Sequence, residues 1–136
     1  MFLWQQASLE RQRTEYAKLA EAVLQAVREK YFDENGLCNC GTQTGSALAI
    51  MFGLNPSTET RQAEGNLLAK RIAENNGHLS TGFVGTPMLC PALTETGHDK
   101  TAMELLLNDE YPGWLYCVNM GATTVWERWN SVKPDG

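Results

Sequence analysis

The sequence predicts an all-α protein, a set of helical hairpins arranged in an array or ring with one short extended hairpin near Trp114–Gly121. Three observations predict it. Segments that are apolar on every side alternate with segments that are apolar on one side only, as inner and outer helices must. The connections between them are short and punctuated by glycine, proline and asparagine. Strict two-residue alternation, the mark of a half-buried strand, is almost absent.

Composition sets the outer bounds. A chain of 136 residues is long enough for one domain with a real core and offers no case for two, so residues 1–136 are read as a single helical domain. Hydrophobic residues make up 43% and charged residues 20%, which is too apolar for disorder. The formal charge is −5, with lysine and arginine scattered, so neither nucleic acid nor an anionic membrane is the expected partner. A neutral or small polar ligand fits better. Cys38, Cys40, Cys90 and Cys117 have no zinc-ligand spacing and read as buried free thiols; neither a metal nor another cofactor is expected. No apolar run approaches the ~20 residues needed to span a bilayer. The N-terminus lacks the basic flank and apolar stretch of a signal peptide, so the expectation is a soluble protein.

Ser8 to Tyr31 reads as a long amphipathic helix with Tyr16, Ala20, Val23, Leu24, Val27 and Tyr31 on a core-facing stripe and Glu21, Gln25 and Arg28 opposite. Asp33-Glu34-Asn35-Gly36 stops it. Thr42 to Phe52 forms an inner helix, polar at its start, where Gln43 and Thr44 either cap or face a pocket, and ended by Gly53. Asn55-Pro56-Ser57-Thr58 starts an outer helix from about Glu59 to Asn75, with Ala63, Leu67, Leu68 and Ile72 facing in and Arg61, Glu64, Lys70 and Glu74 facing out. A glycine-rich loop, His78 to Gly85, precedes Thr86-Pro87, an N-cap followed by proline, and a short inner helix over Met88–Leu93. Asp99 caps the next outer helix, which carries Ala102, Leu105 and Leu106. Asn108 to Pro112 turns, Gly113 to Val118 reads as extended, and a last buried helix opens at Trp126-Glu127.

The stretch Gly121 to Trp129 has two readings. Thr124-x-x-Glu127 is a capping box, in which both side chains satisfy free backbone donors at a helix start. A carboxylate between Trp126 and Trp129 is also a way to build a sugar site, since indole faces stack on the apolar side of a pyranose, although the local pattern favours the cap. Loops rich in glycine, threonine and aromatics precede the inner helices, and they converge on one rim if those helix starts share an end. Glu95, Glu104, Asp109 and Glu110 read as solvated charge, His98 as surface, and Tyr116 as packing before sugar contact.

Three separated motifs then occur in order. Gly77-His78-Leu79-Ser80-Thr81-Gly82-Phe83-Val84-Gly85-Thr86-Pro87, Tyr111-Pro112-Gly113-Trp114, and Gly121-Ala122-Thr123-Thr124-Val125-Trp126-Glu127-Arg128-Trp129 with Pro134-Asp135-Gly136 resemble the C-terminal half of the catalytic domain of bacterial α-L-rhamnosidases. Gly41-Thr42-Gln43-Thr44, Ala47-Leu48-Ala49 and Phe52-Gly53-Leu54 resemble that family's preceding inner helix. The resemblance covers about Tyr16 to Gly136 and implies part of an (α/α)6 toroid. It also implies an inverting glycoside hydrolase that removes terminal α-L-rhamnose from a glycoside or oligosaccharide. One carboxylic acid protonates the leaving oxygen and a second carboxylate activates water.

By position in the motif Glu127 matches the family's general base, with Arg128 or a helix N-terminus to keep it ionised. Trp126, Trp129, Trp114 and His78 are the implied substrate contacts, although Trp114 also reads as a wedge between helices and His78 as a residue that satisfies carbonyls past a helix end. The family's general acid lies in an acidic motif upstream of the first helix, for which this chain has no equivalent. Gly113 stands where the family usually has serine. The isolated chain is therefore expected to be inactive and to self-associate through the cut edges of a half barrel. The alternative is a non-catalytic helical module for carbohydrate binding or assembly.

Overall fold

A computed structural model describes residues 3–131, and side chains from residue 10 onward. It contains six helices: α1 (Leu3–Tyr31), α2 (Gln43–Met51), α3 (Thr58–Glu74), α4 (Thr86–Glu95), α5 (Asp99–Leu107) and α6 (Trp114–Asn119). Helices α2 and α4 are the inner pair. They pack on each other, α2 against the outer α3 and α4 against the outer α5, so the alternation expected from hydropathy is the one observed. Ala47 and Ile50 of α2, Leu68 and Ile72 of α3, Leu89, Ala92 and Leu93 of α4, and Ala102 and Leu105 of α5 make one core, which Leu79 joins from the loop before α4.

Local chemistry accounts for most boundaries. Thr42 caps α2, its hydroxyl accepting the Gly45 N–H at 3.0 Å. Ser57 caps α3 through a reciprocal box with Thr60, in which each hydroxyl accepts the other's backbone N–H. Left-handed backbone at Gly53 (φ 61°) and Gly77 (φ 77°) turns the chain out of α2 and α3. The N-cap of α4 is Gly85 rather than Thr86, whose hydroxyl instead donates to the Gly82 carbonyl at 2.9 Å. Asp99 is likewise the first residue of α5 and not its cap; His98 precedes it and makes no side-chain cap.

Further expectations are corrected. The segment Gly113 to Val118 is helical over Trp114–Asn119, not extended, so there is no short extended hairpin near Trp114–Gly121. Aromatic and β-branched residues favour strands only where a partner strand takes their backbone groups. None runs alongside here, and the chain satisfies itself through bonds such as Met120 N–H to the Tyr116 carbonyl at 2.9 Å.

No helix opens at Trp126, so Thr124 and Glu127 have no helix to cap. Glu64 is not on a solvated face but fully buried, because the loop after α1 folds over it and the Cys38 N–H donates to its Oε2 at 2.7 Å. Finally, the apolar stripe of α1 is not core: Tyr16 is 70% exposed and Val23 53%, since no described helix lies along it. Arg28, expected on the outer side, ties α1 to the α2–α3 turn through the carbonyls of Leu54 (2.8 Å) and Asn55 (3.1 Å). Pro134-Asp135-Gly136 lies outside the described residues.

All four cysteines are free, but Cys40 is exposed, contrary to expectation, while Cys38 and Cys117 are buried. Burial pushes the Cys38 thiol up to about 11, and it raises the Cys90 and Cys117 thiols as well. A thiol that stays protonated in the fold beyond its ordinary pKa of 9.0 supports the fold fully below that pH. The support is lost as the unfolded thiol ionises, between about pH 9 and 11. Urea midpoints are accordingly expected to fall across this window and to fall less in Cys38→Ser; a midpoint flat from pH 8 to 11 would contradict the assignment.

Candidate functional site

A groove of about 970 Å³ opens where three parts of the chain meet. The loop before α4 gives Gly82 and Phe83, and α4 itself gives Thr86 and Pro87. The turn before α6 gives Tyr111, and α6 gives Trp114, Cys117 and Val118. The C-terminal segment closes the other wall with Ala122 to Asn130. Trp114, Trp126, Glu127 and Trp129, four of the five site residues expected from the sequence, line this one cavity.

Long-range contacts hold the wall without a helix. The Trp129 indole N–H donates to the Thr81 carbonyl at 3.1 Å, across 48 residues of chain. Its ring meets Trp114 edge to face, with centroids 5.5 Å apart and planes at 84°. The buried Cys117 thiol donates to the Trp129 carbonyl at 3.9 Å, long but within reach of sulfur. Trp126 is half-buried, whereas Glu127 and Arg128 are exposed. Among the described residues these two form no ion pair with each other, so neither Arg128 nor a helix terminus holds the Glu127 carboxylate. Of the groove's lining residues Glu127 is the one carboxylate and Arg128 the one cation.

His78 does not line the groove. Its Nδ1 lies 3.0 Å from the Asn76 carbonyl oxygen and its Nε2 3.1 Å from Glu110 Oε2, so it braces the end of α3 against the turn that carries Tyr111. Tyr116 also stays outside, packed edge to face on Tyr111 at 5.3 Å. Glu95, Glu104 and Asp109 are exposed, as expected.

The start of α2 supports the groove rather than entering it. Gln43 is buried, its Oε1 accepting the Ser80 N–H at 2.7 Å and its Nε2 donating to the His78 carbonyl at 3.0 Å. Thr44 sits so close beneath Gly85 that a Cβ there would lie 2.4 Å from its hydroxyl, which leaves only glycine at that position. Gln43 and Thr44 thus fix the loop that delivers Thr81, Gly82 and Phe83. No motif rule points to the Thr81 carbonyl as an anchor or to Phe83 as a groove residue, although both lie within the glycine-rich segment 77–87. Among the described residues no group of three or more His, Cys, Asp and Glu is placed to hold a metal ion, and no helix is long and apolar enough to cross a membrane.

Inner and outer helical hairpins that present an indole-walled groove at one end define a helical-hairpin domain. Residues 5–136 match the model of the bacterial α-L-rhamnosidase six-hairpin glycosidase domain, and the chain belongs to that family. It is 39% identical over 121 residues to an α-L-rhamnosidase of Streptomyces avermitilis and 42% identical over 120 residues to one of Formosa agariphila. These matches take in 89% and 87% of this chain but 12% and 13% of the relatives, so the chain spans about an eighth of their length. The crystal structure of the S. avermitilis α-L-rhamnosidase complexed with L-rhamnose superposes with a TM-score of 0.83 at 38% identity, over 90% of this chain and 12% of that one. The native α-L-rhamnosidase of Aspergillus terreus superposes with a TM-score of 0.86 at 33% identity, over 97% of this chain and 15% of that one. The six helices are therefore a part of a six-hairpin glycosidase domain.

Proposed function

We propose that this chain forms one wall of the rhamnose site in an inverting α-L-rhamnosidase, with Glu127 as the general base that activates water. The observation that carries this reading is the convergence of Trp114, Trp126, Glu127 and Trp129 on one groove, in a fold shared with an L-rhamnose-bound relative. Trp114 and Trp129 stack against the apolar side of the sugar, Trp126 flanks the base, and His78 acts from outside by holding the Tyr111 turn. An inverting glycosidase needs two carboxyl groups, about 6.5–9.5 Å apart. The groove offers one, and it is solvated and unheld, which supports an inactive isolated chain that binds sugar without cleaving it. The test is Glu127→Gln in a full-length enzyme that carries this segment. Turnover of an aryl α-L-rhamnoside collapses if Glu127 is the base, and unchanged turnover removes it from that role.

The same reading includes self-association of the isolated chain through α1. Its exposed stripe, Tyr16, Leu19, Val23 and Tyr31, is flanked by charges of both signs, which suits pairing with a second copy. Sedimentation is expected to show a concentration-dependent dimer that Val23→Glu weakens. A monomer at all concentrations would end this part of the reading.

A further inference from the structure

One buried amide holds the groove from behind. Gln43, in the first turn of α2, is 2% exposed and meets two backbone groups of the loop before α4. Its Oε1 accepts the Ser80 N–H at 2.7 Å and its Nε2 donates to the His78 carbonyl at 3.0 Å. A carboxamide carries an acceptor and a donor on one planar group, which fits a segment that presents one of each. Between those two bonds Leu79 is buried in the core, so the backbone and the side chains of this stretch are both fixed.

Thr81 follows at once. Its side chain is 3% exposed, its hydroxyl pairs with that of Thr86 at 2.9 Å, and its carbonyl accepts the Trp129 indole N–H at 3.1 Å. Trp129 lies in no helix, so its ring takes its direction from what it touches, the Thr81 carbonyl and the edge of Trp114. Two hydrogen bonds and a short run of backbone therefore join Gln43 to the indole wall. Peptide planes are stiff, so a shift at the Ser80 N–H is carried to the Thr81 carbonyl. Gln43 and Thr81 are buried by this chain's own residues, and further chain packed outside them adds to that burial and removes none of it.

On the reading that the groove binds rhamnose, we infer that Gln43 is a positioning residue for the sugar site: through Ser80 and the Thr81 carbonyl it sets the angle at which the Trp129 indole meets the sugar. Gln43 touches no substrate. Its loss loosens a ring that stacks on the sugar in the ground state and the transition state alike, so the effect falls on KM and not on kcat. A role confined to stability has the opposite signature, because fewer folded molecules lower kcat and leave KM alone.

The experiment is the kinetics of an aryl α-L-rhamnoside in a full-length enzyme that carries this segment. Gln43→Ala is expected to raise KM about three- to tenfold with kcat within about twofold, the span for one lost hydrogen bond. If alanine does not fold, Gln43→Met, of similar length and without either bond, is read in its place. Gln43→Glu keeps the acceptor for the Ser80 N–H and adds a charge that the first turn of α2 favours, so KM is expected to return to within about twofold of the parent. Trp129→Phe removes the indole donor and raises KM by itself. In that background Gln43→Ala should add less than about twofold, since both act through one bond. A Gln43→Ala enzyme with the parent's KM overturns the positioning role, whether or not kcat falls. Full additivity with Trp129→Phe overturns it too, as does a Gln43→Glu enzyme with a KM as high as that of Gln43→Ala. A Trp129→Phe enzyme with the parent's KM overturns the sugar reading of the groove, and the role of Gln43 with it.

Discussion

Glu64→Ala is expected to lower the unfolding free energy by about 3–5 kcal/mol, the range for breaking a buried ion pair by removing one partner. Glu64 is fully buried on α3, and its Oε2 accepts the Cys38 N–H at 2.7 Å and faces Asn55 Nδ2 at 3.5 Å. Its Oε1 lies 3.8 Å from Arg71 Nη1. Arg71 in turn donates to the Ser46 hydroxyl and reaches the carbonyls of Thr42 (3.3 Å) and Cys38 (3.4 Å). Alanine would therefore leave a buried N–H without its acceptor and a guanidinium, with only 16% of its side chain exposed, without its counter-charge.

A domain of this size has roughly 5–15 kcal/mol to lose, so the variant is expected to be partly unfolded near body temperature. Glu64→Gln keeps the volume and one acceptor, and about 1–3 kcal/mol is expected for it. Glu74→Ala, which removes an exposed partner of Lys70, is the control and should change stability by less than about 0.5 kcal/mol. Urea denaturation measures all three. A Glu64→Ala protein as stable as the Glu74→Ala protein would show that the buried carboxylate holds nothing together.

Glu64 also shows where a sequence is legible and where it is not. The helices α2 to α5 were readable because their signals are local: the apolar period, Ser57 and Thr42 at helix starts, Gly53 and Gly77 at helix ends. Glu64 falls on the polar side of that period, and only the loop folding back over α3 from the end of α1 makes it core. The same limit explains the C-terminal third. Trp114-Leu115-Tyr116 has strand propensity, and Thr124-x-x-Glu127 has a helix-start pattern, yet neither outcome follows, because Trp129 is tied to Thr81 and Trp114 from elsewhere in the fold. The α1 stripe was legible as a helix face, but a period says nothing about whether a partner is present. At the site, Trp114, Trp126, Glu127 and Trp129, which the motif resemblance names together, line one cavity. His78, named with them, lies outside the groove with its ring turned to Glu110 and the Asn76 carbonyl, and nothing in the resemblance singles out Phe83, whose distinction is exposure.

Glu127→Ala is expected to cost about 10²–10⁴ in kcat in a full-length enzyme carrying this segment, the range for losing a positioned general base. The carboxylate is exposed, makes no ion pair with Arg128, and leads no helix, so its removal should leave the melting temperature within a few degrees of the parent. Activity would then be lost without loss of fold, which separates Glu127 from Glu64.

The stereochemistry tests the mechanism itself. If Glu127 activates water on the face opposite the leaving group, alanine opens space there for a small anionic nucleophile that needs no base. Added azide should then restore turnover of an aryl rhamnoside and give rhamnosyl azide of inverted anomeric configuration. Azide that rescues with retained configuration would mean a covalent intermediate and a nucleophile elsewhere. Failure to rescue, with kcat within threefold of the parent, would leave Glu127 as a solvated rim charge. The isolated chain should show no turnover with or without azide, because Glu127 is the one carboxyl group among its described groove residues and an inverting mechanism needs a second. Measurable hydrolysis by the isolated chain would require a second acid at the groove and would overturn the assignment of a single carboxylate to this wall.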